Sequence, residues 1–226
     1  MTILTFKQFL EKSLPNDVTL SDVSGAKYSD TDNLPELDSN VKKIWSSLIT
    51  DLSNWIDFHD HEGLYKSLSE YKKIIPQKFS QLSNPIYRGL SWSIPTQPEI
   101  LSTILHKKSL HGSPLESWTT DEKIAEEFAR SNTSNSIGVM IKLNNPSSKY
   151  VLMDVVSFIN DRKIIEIAAS IKNEEFVKQA QKYAKKEKEV ILKGLPEYSP
   201  DLIKTIFYNN KKFSDAKKLK DFLELK

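Results

Sequence analysis

The chain changes texture at Pro85-Ile86-Tyr87-Arg88-Gly89-Leu90. A short apolar and aromatic run bounded by proline and glycine reads as a strand. Upstream of it the periodicity is helical. Val41, Ile44, Trp45, Leu48, Ile49, Leu52, Trp55 and Ile56 recur at spacings of three and four. They form one broad apolar stripe, with Asp38 or Ser39 placed to cap it. A second helix is expected over residues 63–75, with Leu64, Leu68, Tyr71 and Ile75 inward and Pro76 as its stop. Residues 2–14 suggest a short helix carrying Leu4, Phe6, Phe9, Leu10 and Leu14. Residues 15–40, rich in Asp, Ser, Asn and Pro, suggest a loop.

Downstream of Leu90 the elements alternate. A helix is expected over 99–106, and a second begins after Thr119-Thr120-Asp121-Glu122, where a hydroxyl stands three residues before a carboxylate as in a capping box. Strands are expected over 137–143, 150–158, 189–192 and 205–208, where Val, Ile, Met and Tyr are dense. Residues 161–186 read as helical and lysine-rich, and Ser214 is placed to cap a last helix through Leu225. The fold class is therefore α+β, with a helical region over 1–80 and a β-rich domain over 81–226.

Composition narrows the function. The 226 residues, 25.9 kDa, are 38% hydrophobic and 27% charged, with no apolar run near the roughly 20 residues of a membrane span. Cysteine is absent, which excludes disulfides, thiolate metal sites and a cysteine nucleophile. The first residues interrupt their apolar stretch with Lys7 and Glu11, unlike a signal peptide. A net charge of +2 argues against a dedicated nucleic-acid binder. The charge is uneven: residues 1–60 hold five lysines against ten acids, and residues 171–226 hold fourteen lysines against nine. The basic end suits an acidic partner or a nucleotide phosphate, or is simply a solvated lysine surface.

Several motifs carry chemistry. Phe58-His59-Asp60-His61-Glu62 resembles a metal cluster. Histidines at i and i+2 do not share a helix face, however, and no third ligand is evident, so a polar loop is expected and no metal. The six glycines include no phosphate-binding run, so a phosphate would need side-chain cations. Arg88 is one of only three arginines among 32 basic residues. An arginine in an apolar strand suits a planar fork for phosphate or carboxylate, or a structural ion pair. Ser117-Trp118-Thr119 places hydroxyls on alternate residues ahead of a helix, for chemistry or for capping. Glu187-Lys188-Glu189 leads into the apolar Val190-Ile191-Leu192. At a strand start, that spacing sets two carboxylates on one side, again for chemistry or as a charged strand end.

Taken in order, Tyr87-Arg88-Gly89-Leu90, Ser117-Trp118-Thr119-Thr120-Asp121 with Ala125 and Phe128, and Glu187-Lys188-Glu189-Val190-Ile191-Leu192 resemble the arginine–serine–glutamate class of mono-ADP-ribosyltransferases. The wording is similar to that of the Mod and Alt enzymes of T-even-like bacteriophages, and more loosely to the clostridial binary-toxin enzymes. The resemblance covers roughly residues 80–210. It implies two facing, mostly antiparallel sheets with NAD as substrate in the cleft between them, no metal, and ADP-ribose transfer to arginine of a host bacterial protein. By resemblance Glu189 stabilises the oxocarbenium-like ribose and holds its hydroxyl. Glu187 orients or deprotonates the acceptor guanidinium. Arg88 grips an NAD phosphate, Gly89 lies against the nicotinamide amide, Ser117 bonds Glu189 and fixes its rotamer, and Thr119 supports the same strand. Trp118 is expected to pack under the site and Phe128 to lie in the core.

The segment before Glu187 is long for this family, where that approach recognises the target protein. It carries Lys172, Lys178, Lys182, Lys185 and Lys186, with Tyr183. It reads as a basic docking element for an acidic protein surface or an RNA-bearing partner, as an amphipathic helix burying Ile164, Ile165, Ile167, Ala168 and Ile171, or as both on opposite faces; whether NAD-capped RNA substitutes for NAD stays open. Phe6–Glu11 is similar to leader segments of proteins packaged in phage heads, and equally to a plain amphipathic helix. The resemblance implies a monomer acting in the cytoplasm of a bacterial host, with no membrane partner. Two other functions stay open: a binding module on a degenerate transferase fold, and an NAD glycohydrolase toxin.

Overall fold

The computed structural model describes residues 39–58, 61–130, 135–193 and 197–225. The expected helix at 2–14, the loop through residue 38 and the His59-Asp60 pair lie outside them. In chain order the elements are α1 (Ser39–Phe58), α2 (His61–Lys66), α3 (Leu68–Ile74), a 3-10 turn (Gln77–Ser80), β1 (Ile86–Ser93) and α4 (Pro98–Leu105). Then come β2 (Leu110–His111), β3 (Leu115–Thr119), α5 (Glu122–Ala129), β4 (Ser136–Leu143), β5 (Val151–Asp154), α6 (Val155–Asn160), α7 (Arg162–Ser170) and α8 (Glu174–Glu187). The chain ends with β6 (Glu189–Lys193), β7 (Glu197–Tyr198), a second 3-10 turn (Pro200–Leu202), β8 (Ile203–Tyr208), β9 (Lys211–Phe213) and α9 (Ala216–Glu224). The protein is mixed α and β, with a large antiparallel sheet.

The chain divides into two compact units, 1–81 with 152–186, and 82–151 with 187–226. Residues 152–186, counted with the β-rich part in the sequence reading, thus cluster with the helical region. In the helical unit the stripe on α1 is buried from Ile44 to Ile56. Trp45 stacks on Phe158 at 6.1 Å, and Phe79 meets the same ring edge-on at 5.2 Å. Buried Asn173 donates its amide to Ser46 O at 3.2 Å and Thr50 Oγ1 at 3.3 Å, fixing the α7–α8 corner to α1. The single helix expected over 63–75 is two, turned at Ser67. Its stop holds, because Ile75 is extended ahead of Pro76.

The strand expected over 150–158 ends at Asp154. That side chain accepts from Ser157 N–H at 3.1 Å and from Ser157 Oγ at 2.6 Å, and so caps α6. Val155, Phe158 and Ile159 are buried at helical spacing. A short apolar run of this kind fits strand and helix equally well. At the chain's far end Asp215, not Ser214, is the cap: its carboxylate accepts from Lys218 N–H at 2.9 Å, while Ser214 Oγ only donates to it.

In the β-rich unit the strands run β6-β3-β1-β4-β8-β9. β1 pairs with β4 from Ile86↔Leu143 to Ser93↔Ser136, and β3 with β6 from Leu115↔Lys193 to Thr119↔Glu189. Between β1 and β3 a single pair registers, Tyr87↔Thr119. The sheet therefore falls into two ladders that meet at one point. Ile86, Trp118, Val139, Ile141, Val190, Leu192 and Ile206 line one face, which Ile104 of α4 and Leu219 of α9 cover. Tyr87, Met140 and Phe207 line the other, under Ala125 and Ala129 of α5.

Candidate active site

The three motif segments are distant in sequence, yet they lie on three successive strands of the sheet. Glu189 opens β6, Ser117 and Thr119 sit on β3, and Arg88 sits on β1. Residues opposed across an antiparallel ladder share a face. Thr119 stands opposite Glu189, and Ser117 opposite Ile191. Glu189, Ser117, Thr119, Tyr87 and Gly89 thus belong to the α5 face. The residue directly across from Glu189 is Thr119, and Ser117 is one step further along the same face. Glu189 is only 2% exposed.

Arg88 alternates to the opposite face, with Ile86 and Leu90. It lies where β1 and β3 have stopped pairing, and Nη1 donates to Ser117 O at 2.9 Å. The guanidinium thus fills the gap between the two ladders and takes the place of a strand neighbour. Nε is buried and has no hydrogen-bond partner among the described residues. A buried unpaired donor costs about 1–3 kcal/mol, more when charged.

The Glu-x-Glu segment is not the extended strand start expected. Glu187 is the last residue of α8, and Lys188 has φ 49°, in the left-handed region. Strand alternation therefore does not place the two carboxylates on one side. Thr119 contributes differently as well. Its hydroxyl donates to Glu187 O at 2.7 Å and accepts from Asp121 N–H at 3.1 Å. The cap of α5 is Asp121, which accepts from Lys123 N–H at 2.9 Å, so the expected capping box does not form. Thr120 N–H donates to Lys188 O at 3.1 Å, and Lys188 Nζ to Asp121 Oδ2 at 2.7 Å.

Gly89 acquires a packing reason. A Cβ there would lie 2.0 Å from Ala125 O and 2.6 Å from Ala129 N, so the glycine admits the backbone of α5. Gly138 on β4 does the same, its Cβ position being 1.9 Å from Ala129 O. Phe128, expected in the core, is 54% exposed on α5. Trp118 packs beneath the site on the opposite face, edge-on to Tyr198 at 6.0 Å.

Sequence reasoning missed Glu116. This carboxylate is 0% exposed. It accepts from Ser113 N–H at 2.8 Å, from Trp118 Nε1–H at 3.1 Å and from the Tyr198 hydroxyl. Burial pushes the Tyr198 hydroxyl up, against the lowering charge of Arg88. The signal was alternation: once 115–119 is a strand, Glu116 shares the core face with Trp118.

Among the described residues no group of His, Cys, Asp and Glu side chains is arranged to hold a metal, and no helix is long and apolar enough to cross a membrane. Comparison with protein-family models, with curated proteins and with solved structures returned no match.

Proposed function

We propose that the protein is an NAD-dependent mono-ADP-ribosyltransferase that modifies arginine on a host bacterial protein. The observation that carries this reading is that the Arg-Gly segment, the Ser-x-Thr segment and Glu189 lie on adjacent strands β1, β3 and β6, at the point where the two ladders part. On this reading the parted ladders are the two facing sheets of the transferase core. NAD enters between them.

In this reading the bond between the nicotinamide nitrogen and ribose C1′ breaks, and nicotinamide leaves with the bonding pair. The ribose becomes oxocarbenium-like, and Glu189, held in a low-exposure position, stabilises that charge. Arg88, whose buried Nε lacks a partner among the described residues, would have to turn its guanidinium out of the core face to give a charge-assisted donor to an NAD phosphate oxygen. A guanidine nitrogen of the acceptor then attacks C1′, and Glu187 takes the proton it loses. Water in place of the acceptor gives free ADP-ribose. Thr119 orients the Glu187 backbone and Ser117 supplies a hydroxyl on the Glu189 face. Phage origin, a basic docking role for the lysines of α8 and use of NAD-capped RNA belong to the same proposal.

The test is incubation of the purified protein with labelled NAD and a bacterial lysate, wild type beside Glu189→Gln and Glu187→Gln. Label on discrete protein bands with wild type alone supports transfer. Glu189→Gln is expected to lose transfer and hydrolysis, and Glu187→Gln to keep hydrolysis and lose transfer. NAD loss without labelled bands would replace the transferase by a glycohydrolase. Neither NAD loss nor label would leave a binding module.

A further inference from the structure

The turn joining Glu187 to Glu189 is held by Thr119, which the proposed chemistry uses, and by Thr120 and Asp121, which it does not. Lys188 adopts φ 49°, a conformation that strains a residue with a Cβ. Strained backbone persists where the surroundings over-determine it, and here three contacts do so. Thr119 Oγ1 donates to Glu187 O at 2.7 Å, Thr120 N–H to Lys188 O at 3.1 Å, and Lys188 Nζ to Asp121 Oδ2 at 2.7 Å. The first two hold backbone. The third uses the side chain of the strained residue itself.

Asp121 has two tasks. Oδ1 accepts from Lys123 N–H and starts α5, while Oδ2 receives Lys188. One carboxylate therefore joins the helix over Gly89 to the turn between the two glutamates. With side chains 52% and 24% exposed, the pair adds little to global stability. Its effect is geometric. An extended Lys188 would continue the strand and bring Glu187 onto the Glu189 side. The left-handed Lys188 keeps Glu187 out of that alternation.

We propose that the Asp121–Lys188 ion pair is the positioning device for Glu187, setting the acceptor step independently of NAD cleavage at Glu189. This rests on the transferase reading above. Neither residue touches the reacting atoms; both act through the backbone that carries Glu187.

The experiment measures two reactions on the full chain: nicotinamide release without acceptor, and transfer to agmatine, a small guanidine, with kcat and KM separated. Lys188→Asn tolerates the left-handed conformation and removes the ion pair. Asp121→Asn keeps a capping oxygen and removes the charge. Lys188→Arg keeps the pair. A small misplacement of a catalytic group is costly, so the two Asn variants should lower kcat for transfer about tenfold. NAD hydrolysis and KM for NAD should stay within about twofold of wild type, and Lys188→Arg should recover most of the transfer rate. Thermal melts identify a variant that fails to fold, and the other Asn variant then decides. Wild-type transfer by both Asn variants, equal loss of both reactions, or failure of Lys188→Arg to recover transfer would overturn the proposal. A wild-type protein that neither hydrolyses NAD nor transfers would instead overturn the transferase reading beneath it.

Discussion

Gly89→Ala separates two reasons for a glycine beside Arg88. If the position is open so that nicotinamide can approach, a methyl group blocks substrate and spares the fold. If it is open so that α5 can lie on the sheet, the methyl group damages the fold itself. The added Cβ would sit 2.0 Å from Ala125 O, 2.6 Å from Ala129 N and 2.8 Å from Phe128 Cβ. Two of these are backbone atoms, so no rotamer change relieves them, and α5 must lift by more than an ångström. Glycine here has no positive φ, so alanine gains about 0.4–1 kcal/mol through the unfolded chain. Overpacking opposes this with about 1–3 kcal/mol, and rigid backbone puts the cost at the upper end. The net expectation is a loss of about 2 kcal/mol, or about 4–8 °C in Tm for a domain of this size. The lift meets resistance, because Lys204–Glu122 at 2.6 Å and Lys212–Glu126 at 2.8 Å tie α5 to β8 and β9. The assay is a thermal melt beside NAD titration, with Gly138→Ala as companion, since its Cβ would lie 1.9 Å from Ala129 O. A wild-type Tm for Gly89→Ala with weakened NAD binding would refute the packing explanation and restore the nicotinamide one.

Three further outcomes follow from the same geometry. Arg88→Lys keeps a charge that can reach Ser117 O but loses the second edge of the fork; KM for NAD should rise about tenfold, the worth of one charged hydrogen bond, and an unchanged KM would remove Arg88 from phosphate binding. Glu116→Gln sets an amide N–H₂ either against the Trp118 indole at Oε2 or against the Ser113 N–H and Tyr198 hydroxyl that share Oε1; the expected loss is about 1–3 kcal/mol by urea midpoint, and an unshifted midpoint would show that the cluster is not closed. Lys188 holds the Asp121 carboxyl below its ordinary range, and Lys212 does the same for Glu126. Depressed carboxylates stabilise the fold above their unfolded pKa of about 4 and lose that contribution as pH falls through the folded value. Tm should therefore fall below about pH 4, less steeply in Asp121→Asn, and equal slopes would contradict the assignment.

The sequence displayed its long periods well and its short polar residues poorly. The stripe from Ile44 to Ile56 is decided by seven apolar side chains repeating at helical spacing, and no neighbour can change that reading. Strands β4 and β6 declared themselves by β-branched content, and β1 by an apolar and aromatic run between proline and glycine. Asp154, Asp121 and Asp215 did not. Asp121 and Asp215 each follow a threonine or serine, and which of the two caps the helix depends on backbone angles that only the folded chain fixes, while Asp154 stands within an apolar run that reads as strand. The four-residue span 155–158 turned helical because Asp154 could cap it, although its composition is that of a strand. Glu116 was hidden by the attention its neighbours Ser117 and Thr119 attracted.

Arg88 shows why a residue can stand out in a sequence while its geometry does not. Its rarity in a lysine-rich chain pointed to a planar fork, for an anion or for a structural ion pair alike. The register of β1 against β3 lies beyond the reach of composition. With one pair at Tyr87↔Thr119, the strands part just where Arg88 follows, and Ser117 O is left facing a gap. A lysine could satisfy one acceptor there or reach one anion, whereas a guanidinium can do both at once. The same residue that closes the wedge with Nη1 leaves Nε unpaired. Filling the place between the two ladders therefore falls to a single side chain, and substitution at Arg88 by a residue that cannot reach Ser117 O should lower Tm.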